Sequence, residues 1–348
     1  MGVLGETTQF FFDLTPDRLL GEIESLGLRP TGRCMPLNSL ENRVIEVELS
    51  DPLPTGEKSI VVKFYRPGRW RPEAILEDHA FSQRLSDRGL DVITPVSMNQ
   101  STLFTMHDQK IYWAIYPKVR GQLVDEPTYE QLQILGLIIA KLHEIGSTFQ
   151  SHFRPTLTVD NYAQAGLDNL LQFKFLPSSL QASIKKVGGD LIRQISLNYS
   201  VQQTGAGDQS PTFQTIHGDL HYGNILWNEG RPFITDFDDM MVGPLAQDIW
   251  MITNVGSEEE VTRQAALLSG YEDYRPFPRS TLPWCQSLKA MRYMHYLGWV
   301  CKRWEDPIFR QTFSHYENIS FWEMVMIDFE NMARQLQVVR EFDPFGNY

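Results

Sequence analysis

The stretch IHGDLHYGNILWNEGRPFITDFDD, Ile216–Asp239, gathers two His, four Asp and two Asn among glycines, and three chemistries compete for it. His217 and His221 stand four apart, a metal-ligand spacing if they share a helix face. Gly218 and Gly223 argue against a helix there, and no third ligand accompanies the pair, so His217 reads more simply as a buried, hydrogen-bonded structural residue. Asp236 and Asp238, after the apolar run PFIT, would serve as nucleophile and acid of a phosphatase, but Met240 stands where a DxDxT motif requires Thr. That motif also belongs near the start of such a domain, and here it falls two-thirds of the way along the chain. Kinase chemistry accounts for more residues. Phosphoryl transfer needs a base at the acceptor hydroxyl, a Mg2+ site bridging the phosphates and a cation on the α/β-phosphates. HGDLHYGN fits the pattern HxDxxxxN, with Asp219 to orient or deprotonate the acceptor and Asn224 to bind Mg2+. Beyond a turn at NEG, the strand PFIT delivers Asp236 as the second Mg2+ ligand, and carboxylate and amide oxygens are the hard donors this ion prefers.

The cation is expected upstream on a strand, where SIVVKFY supplies Lys63. In the helix that follows, Glu77 of ILEDHAF is available to pair with it, and Asp78 is the competing partner. Alone, a Lys in a strand or a Glu on a helix is far more often a solvated surface group; their order ahead of the catalytic loop gives them a role. The turn PLNSLENR joins two strands where kinases carry a Gly-rich loop, yet it contains no glycine. Ser39 and nearby backbone N–H groups are its candidate phosphate contacts, against the plainer reading of a polar β-turn. YPKVRGQ follows the strand KIYWAI where a hinge would meet adenine through the backbone of Pro117, Lys118 and Val119. Asp248, in GPLAQDIWM, opens a helix and either braces the catalytic loop or simply complements the helix dipole.

Around these motifs the pattern is β-rich first and helical afterwards. TPDRLLGEIESLGL predicts a helix capped by Thr15, with Pro16 at its first position and Gly27 near its end. NRVIEVEL and SIVVKFY predict a hairpin, and PEAILEDHAFSQRLSDRG a helix with Ile75, Leu76, Ala80, Phe81 and Leu85 on its apolar face. Strands around STLFTMHD and KIYWAIYPKV complete a unit ending near residue 120. PTYEQLQILGLIIAKLHEIG then places Leu132, Leu135, Ile138, Ile139, Leu142 and Ile145 on a buried helix, and further helices are expected near 179–203, 257–270, 283–304 and 318–340. SVQQTGAGDQSP has the composition of a surface loop. The expectation is an α+β, two-lobed chain, residues 1–120 forming an ATP-binding lobe and 121–348 a helical catalytic lobe, with the site in the cleft between them.

Composition sets the limits. A chain of 348 residues, 42% hydrophobic and 21% charged, is long enough and apolar enough for two cores and argues against extended disorder. The excess of 43 acidic over 31 basic residues gives a net charge of -12, which disfavours nucleic acid and anionic membrane surfaces as partners. Cys34, Cys285 and Cys301 form no CxxC pair and no disulfide framework, which fits a reducing cytoplasm. The first residues lack the basic and apolar regions of a secretory signal, and no apolar run approaches the ~20 residues needed to span a bilayer.

The blocks PLNSLENRV, VVKFYRPGRW, ILEDHAF, HGDLHYGNILW, DFDD, GPLAQDIWM and MRYMHYLGWVCKRWEDPIF resemble the stress response kinase A family (also SrkA, RdoA or YihE), in the aminoglycoside phosphotransferase and choline kinase-like branch of the protein-kinase-like fold. The resemblance covers nearly the whole chain. It implies an ATP- and Mg2+-dependent serine/threonine protein kinase of bacterial stress response, cytoplasmic and monomeric. Carried over by motif, Asp219 and Asp236 are catalytic, Asp219 being the proton acceptor. Asn224 and Asp236 are the Mg2+ ligands, Ser39 lies near ATP, and Lys63 is the ATP lysine. The Gly of DFG is Asp238 here, and the short interval from Asp236 to Asp248 leaves no room for a phosphorylated activation segment. The motifs point to transfer to a hydroxyl, while the protein acceptor rests on the resemblance alone. A small-molecule kinase is the alternative, with Asp238, Asp239, Glu305 and Asp306 as candidates to line a site for a cationic aminoglycoside, choline or amino-alcohol. A nucleotide-binding pseudokinase is the third reading, opposed by the joint presence of Lys63, Asp219, Asn224 and Asp236.

Overall fold

A computed structural model describes residues 11, 14–54, 56–106, 111–203, 213–254 and 257–342. In chain order these form α1 (Pro16–Ser25), β1 (Pro30–Pro36), β2 (Arg43–Leu49), β3 (Ser59–Phe64), α2 (Pro72–Asp87), β4 (Phe104–Thr105), β5 (Tyr112–Pro117) and α3 (Tyr129–Ser147). There follow α4 (Ala165–Leu171), α5 (Ser178–Gln203), β6 (Gln214–Ile216), β7 (Ile225–Asn228), β8 (Arg231–Ile234), β9 (Met241–Gly243) and α6 (Ala246–Ile252). The last helices are α7 (Glu258–Glu272), α8 (Trp284–Lys302), α9 (Pro307–Thr312) and α10 (Ile319–Phe342). Of the loop expected over SVQQTGAGDQSP, residues 200–203 instead end α5, and the rest lies outside the described residues. Two compact units result, one of residues 1–126, 148–154 and 221–240, the other of 127–147, 155–220 and 241–348.

The first unit is built on an antiparallel sheet in the order β1-β2-β3-β5-β4. Strand alternation sends Ile60, Val62 and Phe64 to one face, where they pack with Val47, Leu49, Trp113, Ile115 and, from α1, Leu19 and Ile23. Lys63 therefore points to the other face, beside Tyr65 and Ala114, where Ile75 of α2 also packs. Thr15 caps α1, its Oγ1 accepting from Arg18 N–H, with Pro16 at the first helical position as the sequence predicts. On α2 the expected apolar face is only half correct: Ile75, Phe81 and Leu85 are buried, but Leu76 and Ala80 are exposed, while Asp78, His79 and Ser82 turn inward. The reason is local, because this side of the sheet carries the Lys63 ammonium and the helix meets it with polar groups.

The hairpin β7–β8 also belongs to this unit. Glu229 (φ 49°) and Gly230 (φ 77°) form its two-residue turn, whose left-handed backbone matches the strand twist. Ile93 N–H donates to Ile234 O at 2.9 Å, and Gln122 and Trp227 exchange two backbone bonds of 2.9 Å, stitching the hairpin to the loops after α2 and β5.

Among its described residues the second unit is helical, with one short antiparallel pair, β6–β9. Of the residues expected on the buried face of α3, Leu132, Leu135, Ile139, Leu142 and Ile145 are buried, and Ile138 is half-buried. Helices α3 and α7 approach backbone to backbone at Gly136 and Gly270: a Cβ on the first would lie 1.9 Å from Leu267 O, and on the second 1.9 Å from Gln133 O. Only glycine permits that crossing.

Candidate active site

In the first unit the buried Lys63 ammonium lies 2.7 Å from Asp236 Oδ1 and 2.7 Å from Asp238 Oδ1. Burial opposes this charge, but the two carboxylates outweigh it and hold the Lys63 pKa well above the usual lysine value. Burial likewise opposes ionisation of Asp238, and Lys63 with Arg69 draws its pKa below the carboxylate range. Arg69 reaches Asp238 at 3.4 Å and Asp239 at 2.5 Å, and Asn42 Nδ2 donates to Asp238 Oδ2 at 2.5 Å. Asp238, in the Gly position of the kinase motif, is thus a structural hub, neutralised by two cations.

The pairing expected between Lys63 and Glu77 is not the one observed. Glu77 accepts from Ser151 Oγ (2.9 Å) and from the N–H groups of His152 (2.5 Å) and Phe153 (2.9 Å). Of the two adjacent carboxylates it is Asp78 that turns inward; burial, and next the charge of Asp238, push its pKa up to about 7. His79 beside it is held neutral, its pKa lowered to about 4 by burial and then by Lys63, and its ring bonds Tyr65 OH (2.9 Å) and Thr102 Oγ1 (2.9 Å).

Hairpin register sets the remaining groups of this unit. Ile225 faces Ile234, and Thr235 N–H donates to Asn224 O at 3.1 Å, so Asn224 and Asp236 flank the same end of β7–β8. Asp236 adopts a left-handed backbone (φ 63°), and its side chain stays 47% exposed despite the lysine. His221, the second His of the suspected metal pair, accepts from Gly223 N–H at 3.0 Å and caps the turn that presents Asn224. Ser39 lies half-buried in the 37–42 loop, which Arg66 grips through Leu40 O (3.2 Å) and Glu41 O (2.9 Å). Pro117 ends β5 opposite Ile60, and Lys118 pairs with Glu46 at 2.7 Å; Pro117, Lys118 and Val119 are half-buried.

In the second unit β6 leads into His217, Gly218 and Asp219. Asp248, fully buried, accepts from His217 N–H (3.0 Å), Gly218 N–H (2.8 Å) and His143 Nε2 (3.2 Å), while Gln247 Nε2 donates to Gly218 O (3.0 Å). The bracing role anticipated for Asp248 is observed. Burial opposes its charge, and the bond from His143, the nearby His rings and the Gly218 N–H hold its pKa below the usual range. His217 Nδ1 accepts from Asp219 N–H at 3.3 Å, a backbone-shaping role. Asp219 Oδ1 accepts from Arg292 of α8 at 2.6 Å, a partner with no signal in the sequence beyond its place in MRYMHYLGW. The acidic residues considered for a cationic acceptor are committed elsewhere. Asp238 and Asp239 pair with Arg69, Glu305 pairs with Lys174 (2.8 Å) and with Arg310, and Asp306 caps α9 through Ile308 N–H (3.2 Å).

Residues 34–280 match the phosphotransferase enzyme family. The chain belongs to this family. Within the phosphotransferases it is 31% identical over 327 residues to stress response kinase A of Escherichia coli (strain K12), covering 94% of this chain and 95% of that one. It is 30% identical over 315 residues to the serine/threonine protein kinase RdoA of Salmonella typhimurium (strain LT2), 90% of each chain. Among solved structures, the amicoumacin kinase hAmiN in complex with AMP-PNP, Ca2+ and Ami superimposes with a TM-score of 0.69 at 19% identity, covering 92% of this phosphotransferase and 94% of that chain. The α+β, protein-kinase-like class expected from the sequence is the class observed. Among the described residues no helix is long and apolar enough to cross a membrane.

Proposed function

We propose that this phosphotransferase is a cytoplasmic kinase that moves the γ-phosphoryl group of ATP, with Mg2+, to a Ser or Thr hydroxyl of a protein. The observation that carries the reading is the buried Lys63 held between Asp236 and Asp238, which brings together a cation and carboxylates of the kinds that phosphate and metal contacts need. In this reading Lys63 binds the α/β-phosphates, the 37–42 loop with Ser39 covers them, and the backbone of Pro117, Lys118 and Val119 receives adenine. The donor set suits Mg2+: Asp236 keeps its carboxylate 47% exposed beside Asn224, and both offer hard oxygens. Among the described residues no cluster of three or more His, Cys, Asp or Glu is arranged to hold a metal, and Mg2+ takes its remaining ligands from phosphate and water. Bound there, the ion would neutralise charge on the β- and γ-phosphates. Asp219, oriented by Arg292, accepts the proton of the acceptor hydroxyl as its oxygen bonds to Pγ and the bond from Pγ to the β,γ-bridging oxygen breaks, releasing ADP.

The protein acceptor is favoured by the name of the Salmonella relative, a serine/threonine protein kinase, and by the commitment of the acidic residues to structural ion pairs, which leaves them ill-suited to gather a polycation. The test is to incubate wild type and Asp219→Asn with [γ-32P]ATP, Mg2+ and a cell extract. Label enters protein with wild type alone if the reading holds. Label confined to a metabolite identifies a small-molecule kinase, and nucleotide binding without any transfer identifies a binding module.

A further inference from the structure

The turn that follows Asp236 is gripped from behind by a residue the motifs do not include. Arg154, buried in the first unit, donates from Nε to Met240 O (3.0 Å) and from Nη2 to Phe237 O (2.9 Å) and Asp238 O. Its guanidinium also lies over the Trp70 ring, 4.3 Å from the centroid. The planar fork of arginine suits carbonyls that converge in a tight turn, and a lysine ammonium would not span them. Arg154 is in turn placed by Glu77, which ties down Ser151 Oγ and the N–H groups of His152 and Phe153, immediately before it. A chain of contacts thus runs from α2 through 151–154 to the carbonyls of 237–240. It supports a backbone that needs support, because Asp236 is a non-glycine residue in the left-handed region.

We infer that Glu77 and Arg154 are positioning residues, a built-in brace that holds the Asp236–Asp239 turn in its working shape with no phosphorylated segment. Glu77 thereby acts on the metal-binding turn through Arg154 instead of on ATP through Lys63. The brace itself is a statement about the turn; its effect on Mg2+ rests on the proposed role of Asp236.

The test compares wild type, Arg154→Lys and Glu77→Gln in the full chain by hydrogen–deuterium exchange of the peptide spanning 236–242, thermal denaturation, and Mn2+ binding followed by electron paramagnetic resonance in the presence of AMP-PNP. Exchange in that peptide is expected to rise at least about tenfold in both variants, as a loosened local unit opens more often. Mn2+ affinity is expected to fall roughly tenfold, the usual effect of losing an outer-shell partner, while exchange in the α1 and β2 peptides stays at the wild-type rate. Unchanged exchange at 236–242 overturns the brace, as does a uniform rise across the first unit, which would mark Arg154 as a general stability residue. Faster exchange with unaltered Mn2+ affinity upholds the brace and instead removes Asp236 from the metal site.

Discussion

Replacing Asp248 should damage the molecule in a way its surroundings make calculable. The carboxylate is fully buried and receives two backbone N–H groups and the His143 ring. Asp248→Ala leaves these donors without their acceptor, and breaking such a buried charged set costs about 3–5 kcal/mol. At about 2–4 °C per kcal/mol for a folding unit of this size, the melting temperature should fall by about 6–20 °C at pH 7. Asp248→Asn keeps one acceptor oxygen but turns an NH2 toward a donor, so a loss of about half that size is expected. The pH dependence follows from the depressed pKa. A carboxyl held below its unfolded value contributes its stability above that unfolded value, near 4, and loses it as pH falls through the folded value. The gap between wild type and either variant, read by thermal denaturation with circular dichroism, should therefore be widest near neutrality and shrink in acid. A loss below about 1 kcal/mol for Asp248→Ala, or a gap that does not narrow in acid, would refute the brace around His217 and Gly218.

Asp78 should behave oppositely, since a carboxyl raised to about 7 contributes stability fully below its unfolded pKa and loses it as pH rises through 7. Asp78→Asn should accordingly gain on wild type by a few kcal/mol between pH 5 and 8 in urea unfolding; parallel curves would contradict the assignment. Lys63→Met leaves Asp236 without its cation and Asp238 with Arg69 alone, so it should abolish phosphoryl transfer and lower stability by about 3–5 kcal/mol. Millimolar Mg2+ should raise the melting temperature of that variant more than that of wild type, and an equal response would place the ion elsewhere. Gly136→Ala drives a methyl into Leu267 O and should cost about 3 kcal/mol or more by calorimetry; a neutral effect would mean that α3 and α7 separate freely.

The local parts of the site were legible because each is written in consecutive residues. Thr15 and Pro16 announce α1, the NEG turn announces β7–β8, and alternation around Lys63 gives both the strand and the face. What escaped was decided by partners far apart in sequence. Asp238 looks like a substituted glycine until Lys63, Arg69 and Asn42 are seen around it. Arg292 sits on a helix where a charged residue normally meets solvent, and nothing in HFRP marks Arg154 as a three-carbonyl clamp. Choosing between Glu77 and Asp78 requires the phase of α2, and hydrophobic counting sets that phase wrongly because its inward face carries Asp78 and His79.

The glycine-free 37–42 loop carries one more consequence. Arg66 holds its carbonyls, and Asn42 links it both to Arg66 N–H (3.1 Å) and to Asp238, so its backbone is already fixed. Freezing a mobile loop costs about 1–2 kcal/mol of conformational entropy per residue, and here folding has met that cost before any ligand arrives. On the proposed placement of this loop over the phosphates, nucleotide association should consequently show a small entropic penalty by calorimetry. Cutting the tether with Asn42→Ala should enlarge that penalty while leaving the binding enthalpy nearly the same.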